Sequence, residues 1–328
     1  MKITPVENKV FGSVVTGVSL ATLTDDDYSD VKAAFLEYGF LVFPAQHMSE
    51  QESAAFGERF GELEFGGTLF ANVEKQDDGS FSKVIAIDSQ RMRTNVGNEA
   101  WHTDSTYKPI SAKCGILSAV VVPDKGGETR LADMRTGYAT LDQATKDRIA
   151  NLGAYHSTEY SQANDLGDFP QRDENTIYHG EAYLRPLVKV HPKTGAKNLF
   201  VGRHAFGIPG LPREESKRLI RSLIDFVVSD PARVYKHNWQ PGDTLLWDNR
   251  AILHCAEPYD YTKPRVLIGT RVAGEPESEL AYYPTAPEAQ AGRDALNAEL
   301  ELLREEAKDR RYGATTADDL LQIQGTRY

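Results

Sequence analysis

Two segments that lie far apart in the sequence carry side chains suited to holding a metal ion. In the first, His102 and Asp104 are two residues apart, so an extended backbone points both to the same side. The second segment follows a predicted strand and ends at His254. Two neutral imidazoles and one carboxylate can occupy one face of an iron(II) ion and leave neighbouring coordination positions open. Those open positions suit a bidentate co-substrate and O2.

An arginine and a threonine strengthen this pattern, because a His-x-Asp pair alone arises by chance in a chain of this length. Arg265 lies eleven residues after His254, at the start of a predicted strand. An arginine on the inner face of a barrel strand needs an anion, and its planar guanidinium matches a carboxylate. Thr129 follows closely on a pair of glycines that allow a close backbone approach. Considered singly, Arg265 could face outward and Thr129 could be an ordinary strand residue.

Composition and charge exclude several classes of protein. The chain of 328 residues has 37 Lys and Arg against 48 Asp and Glu, a formal net charge of −11, which disfavours a nucleic-acid partner. No apolar run approaches the roughly 20 residues of a membrane span, and residues 1–10 lack the apolar core of a signal peptide. Two cysteines exclude a disulfide scaffold. We therefore expect a cytoplasmic protein with no membrane partner.

Within residues 1–275, four helices are predicted from capping residues and from the spacing of apolar side chains. Thr24 precedes three aspartates at the start of one helix, and Gly39 is placed to end it. Ser49 begins a capping box at the start of the second helix. The segments 138–152 and 213–228 have apolar residues at helical spacing.

Short runs rich in β-branched and aromatic residues predict strands between these helices. Many short strands with a few helices at the edges indicate a β-sandwich or a jelly roll. A doubly wound α/β fold is the alternative, but no glycine-rich turn follows any strand as a dinucleotide site requires. The predicted strands are 40–43, 84–87, 115–122, 187–190, 198–201, 244–247 and 265–272.

The character of the chain changes after about residue 275. Residues 1–275 contain no repeat, low-complexity tract or Gly/Ser linker, so we predict a single domain. Beyond it, Leu296, Leu300 and Leu303 form an apolar stripe on a highly charged predicted helix, 293–311. We expect residues 276–328 to be a charged helical extension that packs on its own domain or on a sister subunit.

In combination, the motifs resemble those of the taurine/2,4-dichlorophenoxyacetate dioxygenase family. They are Trp-His-x-Asp at 101–104, Gly-Gly-x-Thr at 126–129 and Trp-Asp-Asn-Arg at 247–250, followed by the histidine at 254 and the arginine at 265. The resemblance spans roughly residues 10–275. Three further segments are similar to the phenoxypropionate dioxygenase branch: 97–107, 184–192 and 203–205.

The resemblance implies a mainly β protein with flanking helices, a double-stranded β-helix of the jelly-roll, cupin-like kind. It also implies an Fe(II)/2-oxoglutarate-dependent dioxygenase in which His102, Asp104 and His254 are the metal ligands and catalytic centre. Arg265 would pair with the far carboxylate of 2-oxoglutarate, and Thr129 would donate a hydrogen bond to this co-substrate. With O2, 2-oxoglutarate would be decarboxylated to succinate and CO2 while a small carboxylate-bearing substrate is hydroxylated. Hydroxylation next to an ether oxygen would cleave the ether.

One departure from the family pattern concerns the substrate. Several family members carry a second arginine four positions after the co-substrate arginine, where this chain has Gly269. Arg271 is six positions after Arg265 and is expected on the same side of the strand, so it is a candidate replacement. Asn98 and Arg203 are further candidate substrate-binding residues.

Two other functions are compatible with a His-Asp-His site. A cupin-like isomerase or ligand-binding protein would bind a metal without consuming O2, but it has no need of the dicarboxylate clamp predicted at Arg265 and Thr129. A zinc hydrolase is the other, although neither Gly-x-Ser-x-Gly nor His-Glu-x-x-His occurs. Hydroxylation, ether cleavage, desaturation and ring formation stay open as outcomes. The charged C-terminal helix and the family resemblance favour a homo-oligomer.

Overall fold

The predicted mainly β architecture with flanking helices is confirmed. The computed structural model describes residues 1–282 and 289–309. Its strands are β1 Lys2–Pro5, β2 Ser13–Thr16, β3 Phe40–Phe43, β4 Leu63–Ala71, β5 Val73–Lys75, β6 Phe81–Val84, β7 Ala112–Val121, β8 Thr129–Asp133, β9 Gly153–His156, β10 Tyr183–Pro186, β11 Val188–Val190, β12 Lys197–Leu199, β13 Ala205–Phe206, β14 Val234–His237, β15 Thr244–Asp248, β16 Ile252–Ala256 and β17 Val266–Ala273. Its α-helices are α1 Asp25–Tyr38, α2 Glu50–Glu58, α3 Gln90–Gly97, α4 Met134–Ala139, α5 Gln143–Ile149, α6 Thr158–Leu166, α7 Arg213–Val228, α8 Pro276–Glu279 and α9 Gln290–Asp309.

Two sheets form the body of the jelly roll. The larger has seven strands in the order β1-β2-β3-β15-β7-β17-β4, and the smaller has three in the order β14-β8-β16. The β2–β3 pair is parallel, and the other neighbours in these two sheets are antiparallel. Since a doubly wound fold needs a mainly parallel sheet, the α/β alternative is wrong.

The central strands of the larger sheet are buried on both faces. On one face, Leu245 and Trp247 of β15 belong to an apolar cluster shared with Leu131 of β8 and Ile252 of β16. On the other face, Leu246 packs with residues of α1 and α2. The alternation follows from the two-residue period of a strand. The strands that flank the site are therefore held between two apolar layers.

The capping residues that predicted the first two helices act as caps. The Thr24 hydroxyl accepts a hydrogen bond from the Asp27 amide at 3.1 Å, and Gly39 ends α1 with a φ of 80°. Ser49 and Glu52 form the reciprocal capping box of α2. The predicted helix 213–228 is α7.

Two predicted elements were wrong. The helix predicted over 138–152 is divided into α4 and α5, because the Asp142 carboxylate accepts a hydrogen bond from the Thr145 amide at 2.9 Å and starts a new helix. The strand predicted over 84–87 ends at Val84, and the isoleucines that follow pack against α3 instead.

Helix α9, in the described part of the segment after residue 275, packs against the rest of the chain. Leu296, Leu300 and Leu303 of α9 share an apolar cluster with Tyr160 and Phe206. The division into residues 1–275 and an extension stays a prediction, and the predicted helix end at 311 lies outside the described residues. Among the helices that the structure describes, none has the length and apolar character to cross a membrane.

Candidate active site

The three predicted metal ligands converge on one point. His102 and His254 face each other across an antiparallel bridge, with N–H···O distances of 2.8 and 2.9 Å between their backbones. Asp104 reaches in with Oδ1 at 3.9 Å from His102 Nε2 and Oδ2 at 3.5 Å from His254 Nε2. One ligand atom from each residue lies within 4.8 Å of the others. All three side chains are buried, so they form a protected donor set.

The charge state of this donor set suits a divalent metal ion. Burial and the neighbouring His254 lower the pKa of His102 to about 3, and burial lowers the pKa of His254. Burial opposes ionisation of Asp104, but Arg271 and the two imidazoles outweigh it and lower its pKa. His102 Nδ1 lies 2.8 Å from the Ala100 carbonyl, which leaves Nε2 as the acceptor facing the centre. Two neutral imidazoles and one carboxylate fit iron(II).

Asn249 holds the backbone of Asp104 in place. Its side-chain Oδ1 accepts a hydrogen bond from the Asp104 amide at 2.9 Å, and its Nδ2 donates to the carbonyls of Asp104 and Ala112, both at 2.9 Å. The side chain thus ties the loop that carries Asp104 to β7. Asn249 belongs to the Trp-Asp-Asn-Arg motif, but the sequence did not predict its role. The available signal was an amide side chain placed directly after a buried strand.

Asp248 organises the turn that leads to His254. Its carboxylate accepts hydrogen bonds from Arg250 Nε and Nη2, both at 2.8 Å, and lies 2.9 Å from His191 Nε2. Burial opposes ionisation, but the Arg250 guanidinium outweighs it and holds the pKa of Asp248 well below its usual range. Because this buried carboxylate accepts two hydrogen bonds from Arg250, it keeps the connection between β15 and β16 rigid.

A cavity of about 870 Å³, including its mouth, opens onto the three ligands. Four of the five predicted co-substrate and substrate residues line it: Thr129, Arg265, Asn98 and Arg271. Aromatic and aliphatic side chains from β4, β15 and β17 supply an apolar wall. The combination of a few convergent polar groups and an apolar wall is typical of a small-molecule site.

Arg265 offers an unneutralised cation to the cavity. Its Nε donates to the Gly127 carbonyl at 3.0 Å, and its backbone amide donates to Asn72 Oδ1 at 2.8 Å. Within residues 1–282 and 289–309, neither terminal guanidinium nitrogen has a hydrogen-bond acceptor or a carboxylate partner. Burial lowers the pKa of Arg265, although a guanidinium stays protonated at neutral pH. The group is therefore poised for an anionic ligand.

Trp239 orients the hydroxyl of Thr129. The indole Nε1 donates a hydrogen bond to Thr129 Oγ1 at 3.1 Å. An indole N–H can only donate, so the hydroxyl acts as acceptor toward Trp239 and its own proton is available to the cavity. Trp239 could not be predicted from the sequence, because it lies in the segment after β14 and contacts a strand residue that is far from it in the chain.

Arg271 and Asn98 border the metal centre on the cavity side. Arg271 Nη2 forms an ion pair with Asp104 Oδ1 at 2.6 Å, and the guanidinium carbon lies 4.9 Å from the centre of the Phe65 ring. Asn98 follows α3, and its carbonyl accepts a hydrogen bond from the Ala256 amide at 2.8 Å.

Arg203 lies behind the metal ligands, where its backbone amide donates a hydrogen bond to the Trp101 carbonyl at 2.8 Å, and not on the cavity. Its side chain is buried, with Nε 2.8 Å from Asp165 Oδ2 and Nη2 2.8 Å from Gln162 Oε1. Its side chain does not line the cavity, because these two residues of α6 hold the guanidinium. Phe70 lies within β4 and lines the cavity.

Comparisons with known proteins agree with the type of site that this geometry indicates. Residues 2–271 match the family described as "Taurine catabolism dioxygenase TauD, TfdA family". The chain belongs to this family. A (S)-phenoxypropionate/alpha-ketoglutarate-dioxygenase of Sphingobium herbicidovorans is 48% identical over 83% of this chain and 94% of its own. Its namesake from Delftia acidovorans is 43% identical over 86% of this chain and 98% of its own.

A solved structure agrees in fold with this TauD/TfdA family member. It is AAD-2 in complex with Mn(II) and N-oxalylglycine, with a TM-score of 0.77 and 34% identity over 85% of this chain and 99% of that one. The predicted jelly roll is confirmed. So is the predicted class of enzyme: an iron(II)-dependent dioxygenase with 2-oxoglutarate and O2 as co-substrates.

Proposed function

We propose that this dioxygenase oxidises a small aryloxy-carboxylate of the 2-phenoxypropionate type, with preference for the (S) enantiomer. The observation that carries the proposal is a cavity with the metal centre at its base, an aromatic wall and the guanidinium of Arg271 beside them. Two relatives with over 40% identity are named for (S)-phenoxypropionate. Hydroxylation at the carbon next to the ether oxygen gives a hemiketal, which collapses to phenol and pyruvate.

We assign the co-substrate site to Arg265 and Thr129. His102, Asp104 and His254 would hold iron(II), which when bound supplies the activation of O2 and the oxidation of the substrate C–H bond. The terminal nitrogens of Arg265 pair with the far carboxylate of 2-oxoglutarate in the bidentate manner of a guanidinium. The Thr129 hydroxyl donates a hydrogen bond to the same carboxylate, because its oxygen already accepts a hydrogen bond from Trp239.

We assign the substrate carboxylate to Arg271 and the aryl ring to Phe65 and Phe70. The two phenyl rings are 5.8 Å apart in an edge-to-face arrangement and both line the cavity. The Arg271 guanidinium already pairs with Asp104, which holds it next to the metal centre. The carboxylate of the substrate would bind to the same guanidinium. Asn98 lies on the same cavity and offers an amide to the substrate. A carboxylate held beside the centre places the adjacent carbon near the reacting position.

We further propose a cytoplasmic homo-oligomer. Cys114 and Cys255 are both unbridged and buried, as expected in a reducing compartment. The contact with a second copy that we predict for the charged helix α9 would cover Leu302, which is 47% exposed.

The test is turnover with defined substrates. We expect protein loaded anaerobically with Fe(II), then given 2-oxoglutarate, O2 and (S)-2-phenoxypropionate, to release succinate, phenol and pyruvate in equal amounts. The (R) enantiomer, taurine and an alkyl sulfate serve as comparison substrates and are expected to react more slowly. Faster oxidation of taurine or the alkyl sulfate would overturn the substrate assignment. Turnover with Zn(II) in the absence of O2 would overturn the oxidative reaction itself.

A further inference from the structure

Gly269 leaves room for a ring from the neighbouring strand. A Cβ atom built at position 269 would lie 1.9 Å from Cε2 and 2.3 Å from Cδ2 of Phe70, which is a severe overlap. Phe70 pairs with Leu267 across β4 and β17, so its ring leans diagonally over the glycine. Gly269 is not among the glycines with positive φ, and backbone freedom therefore does not explain the residue. The absence of a side chain at position 269 is therefore explained by the space that the Phe70 ring occupies.

The ring that fills this space belongs to the cavity wall. Phe70 lines the cavity together with Phe65, and the Arg271 guanidinium lies over the Phe65 ring. The family resemblance set out in the sequence analysis would place a substrate-binding arginine at position 269. Here the cation is two residues farther along β17, and an aromatic ring occupies the space that a side chain at 269 would need. The wall thus presents an aromatic face with a positive charge at its end.

We propose that Gly269 and Phe70 form a pair that determines specificity for an aryl group in the substrate. Gly269 admits the Phe70 ring, the ring packs against the aromatic part of the substrate, and Arg271 binds the carboxylate. This inference rests on the proposed function and deepens it. Aromatic rings in edge-to-face or offset contact are favoured beyond their buried area, so the pair selects an aryl over an alkyl group of similar size.

A double-mutant cycle with two substrates tests the pair. The variants are Phe70→Ala, Gly269→Ala and the double substitution, and the substrates are (S)-2-phenoxypropionate and (S)-2-butoxypropionate, which share the carboxylate and ether. In Phe70→Ala, we expect kcat/KM to fall about 10-fold more for the aryloxy than for the alkoxy substrate. Gly269→Ala should show a similar bias, because the added methyl displaces the ring. In the Phe70→Ala background it should change kcat/KM less than about 2-fold.

Two outcomes would overturn the pair. Equal losses for both substrates in Phe70→Ala would show that the ring does not distinguish them. An undiminished effect of Gly269→Ala in the Phe70→Ala background, with a lower melting temperature, would show that the glycine serves sheet packing alone. If the wild type oxidises neither substrate, the proposed function fails. The pair is then tested by titrating both acids into protein loaded with Mn(II) and N-oxalylglycine, where the same bias in affinity is expected and its absence refutes the pair.

Discussion

Asp104→Asn is expected to abolish turnover by removing the charged member of the metal site. The amide keeps the shape of the side chain but loses the negative charge that two neutral imidazoles cannot supply. Loss of residues that only orient ligands costs about 10–100-fold in metal affinity, so loss of a ligand should raise the Kd for Fe(II) or Mn(II) by at least about 100-fold. Anaerobic titration calorimetry with Mn(II) measures this, alongside succinate release.

The same substitution also leaves Arg271 without its partner at 2.6 Å. Because Glu64 lies 3.7 Å from that guanidinium, we expect a modest loss of about 1–3 kcal/mol in the free energy of unfolding of the metal-free protein. Asp243→Asn is the matched control. It removes a buried carboxylate that lies 3.2 Å from His237, outside the site, and should leave metal affinity unchanged. Equal metal affinity in wild type and Asp104→Asn would refute the assignment of Asp104.

Arg265→Ala should weaken binding of 2-oxoglutarate far more than binding of the substrate. The guanidinium has two terminal nitrogens with no acceptor among the described residues, and a bidentate pair with a carboxylate is a strong interaction. A loss of about 3 kcal/mol corresponds to roughly a 100-fold rise in KM for 2-oxoglutarate. Steady-state kinetics with each reactant varied in turn separates the two effects. Arg265→Lys should fall between wild type and Arg265→Ala, since an ammonium lacks the planar fork.

Arg130→Ala is the control for Arg265. Arg130 neighbours Thr129 on β8, but its guanidinium lies over the Trp101 ring and pairs with Glu257 at 3.3 Å. The control should leave the KM for 2-oxoglutarate within about 2-fold of wild type. Similar rises in the KM values for 2-oxoglutarate and substrate in Arg265→Ala would indicate a general disturbance of the cavity and contradict the assignment.

Local patterns in the sequence predicted the elements that depend on local interactions. The Thr24 and Ser49 caps act within one turn of their helices, so their spacing was sufficient. The prediction of one helix over 138–152 was wrong because of a local interaction too. Asp142 is better suited to cap the start of a new helix than to lie inside one, and the apolar spacing of the segment concealed this cap.

The site likewise contains residues that the sequence could predict and contacts that it could not. His102 and Asp104 were recognisable because they lie two positions apart in the sequence, and the family motifs located His254 and Arg265. The contacts of Asn249, Trp239 and Phe70 join segments that are distant in the chain, so spacing carries no information about them. The contacts of Arg203 with α6 could not be predicted either, because Gln162 and Asp165 become its neighbours only in the folded chain.

The central claim is that one metal ion joins His102, Asp104 and His254 while Arg265 anchors the co-substrate beside it. A crystal structure with Mn(II) and N-oxalylglycine, in place of iron(II) and 2-oxoglutarate, tests this most directly. We predict the metal bonded to both imidazoles and to the Asp104 carboxylate, with the far carboxylate of N-oxalylglycine hydrogen-bonded to the terminal nitrogens of Arg265 and to Thr129 Oγ1. A metal bound elsewhere, or an analogue whose far carboxylate lies away from Arg265, would contradict the claim.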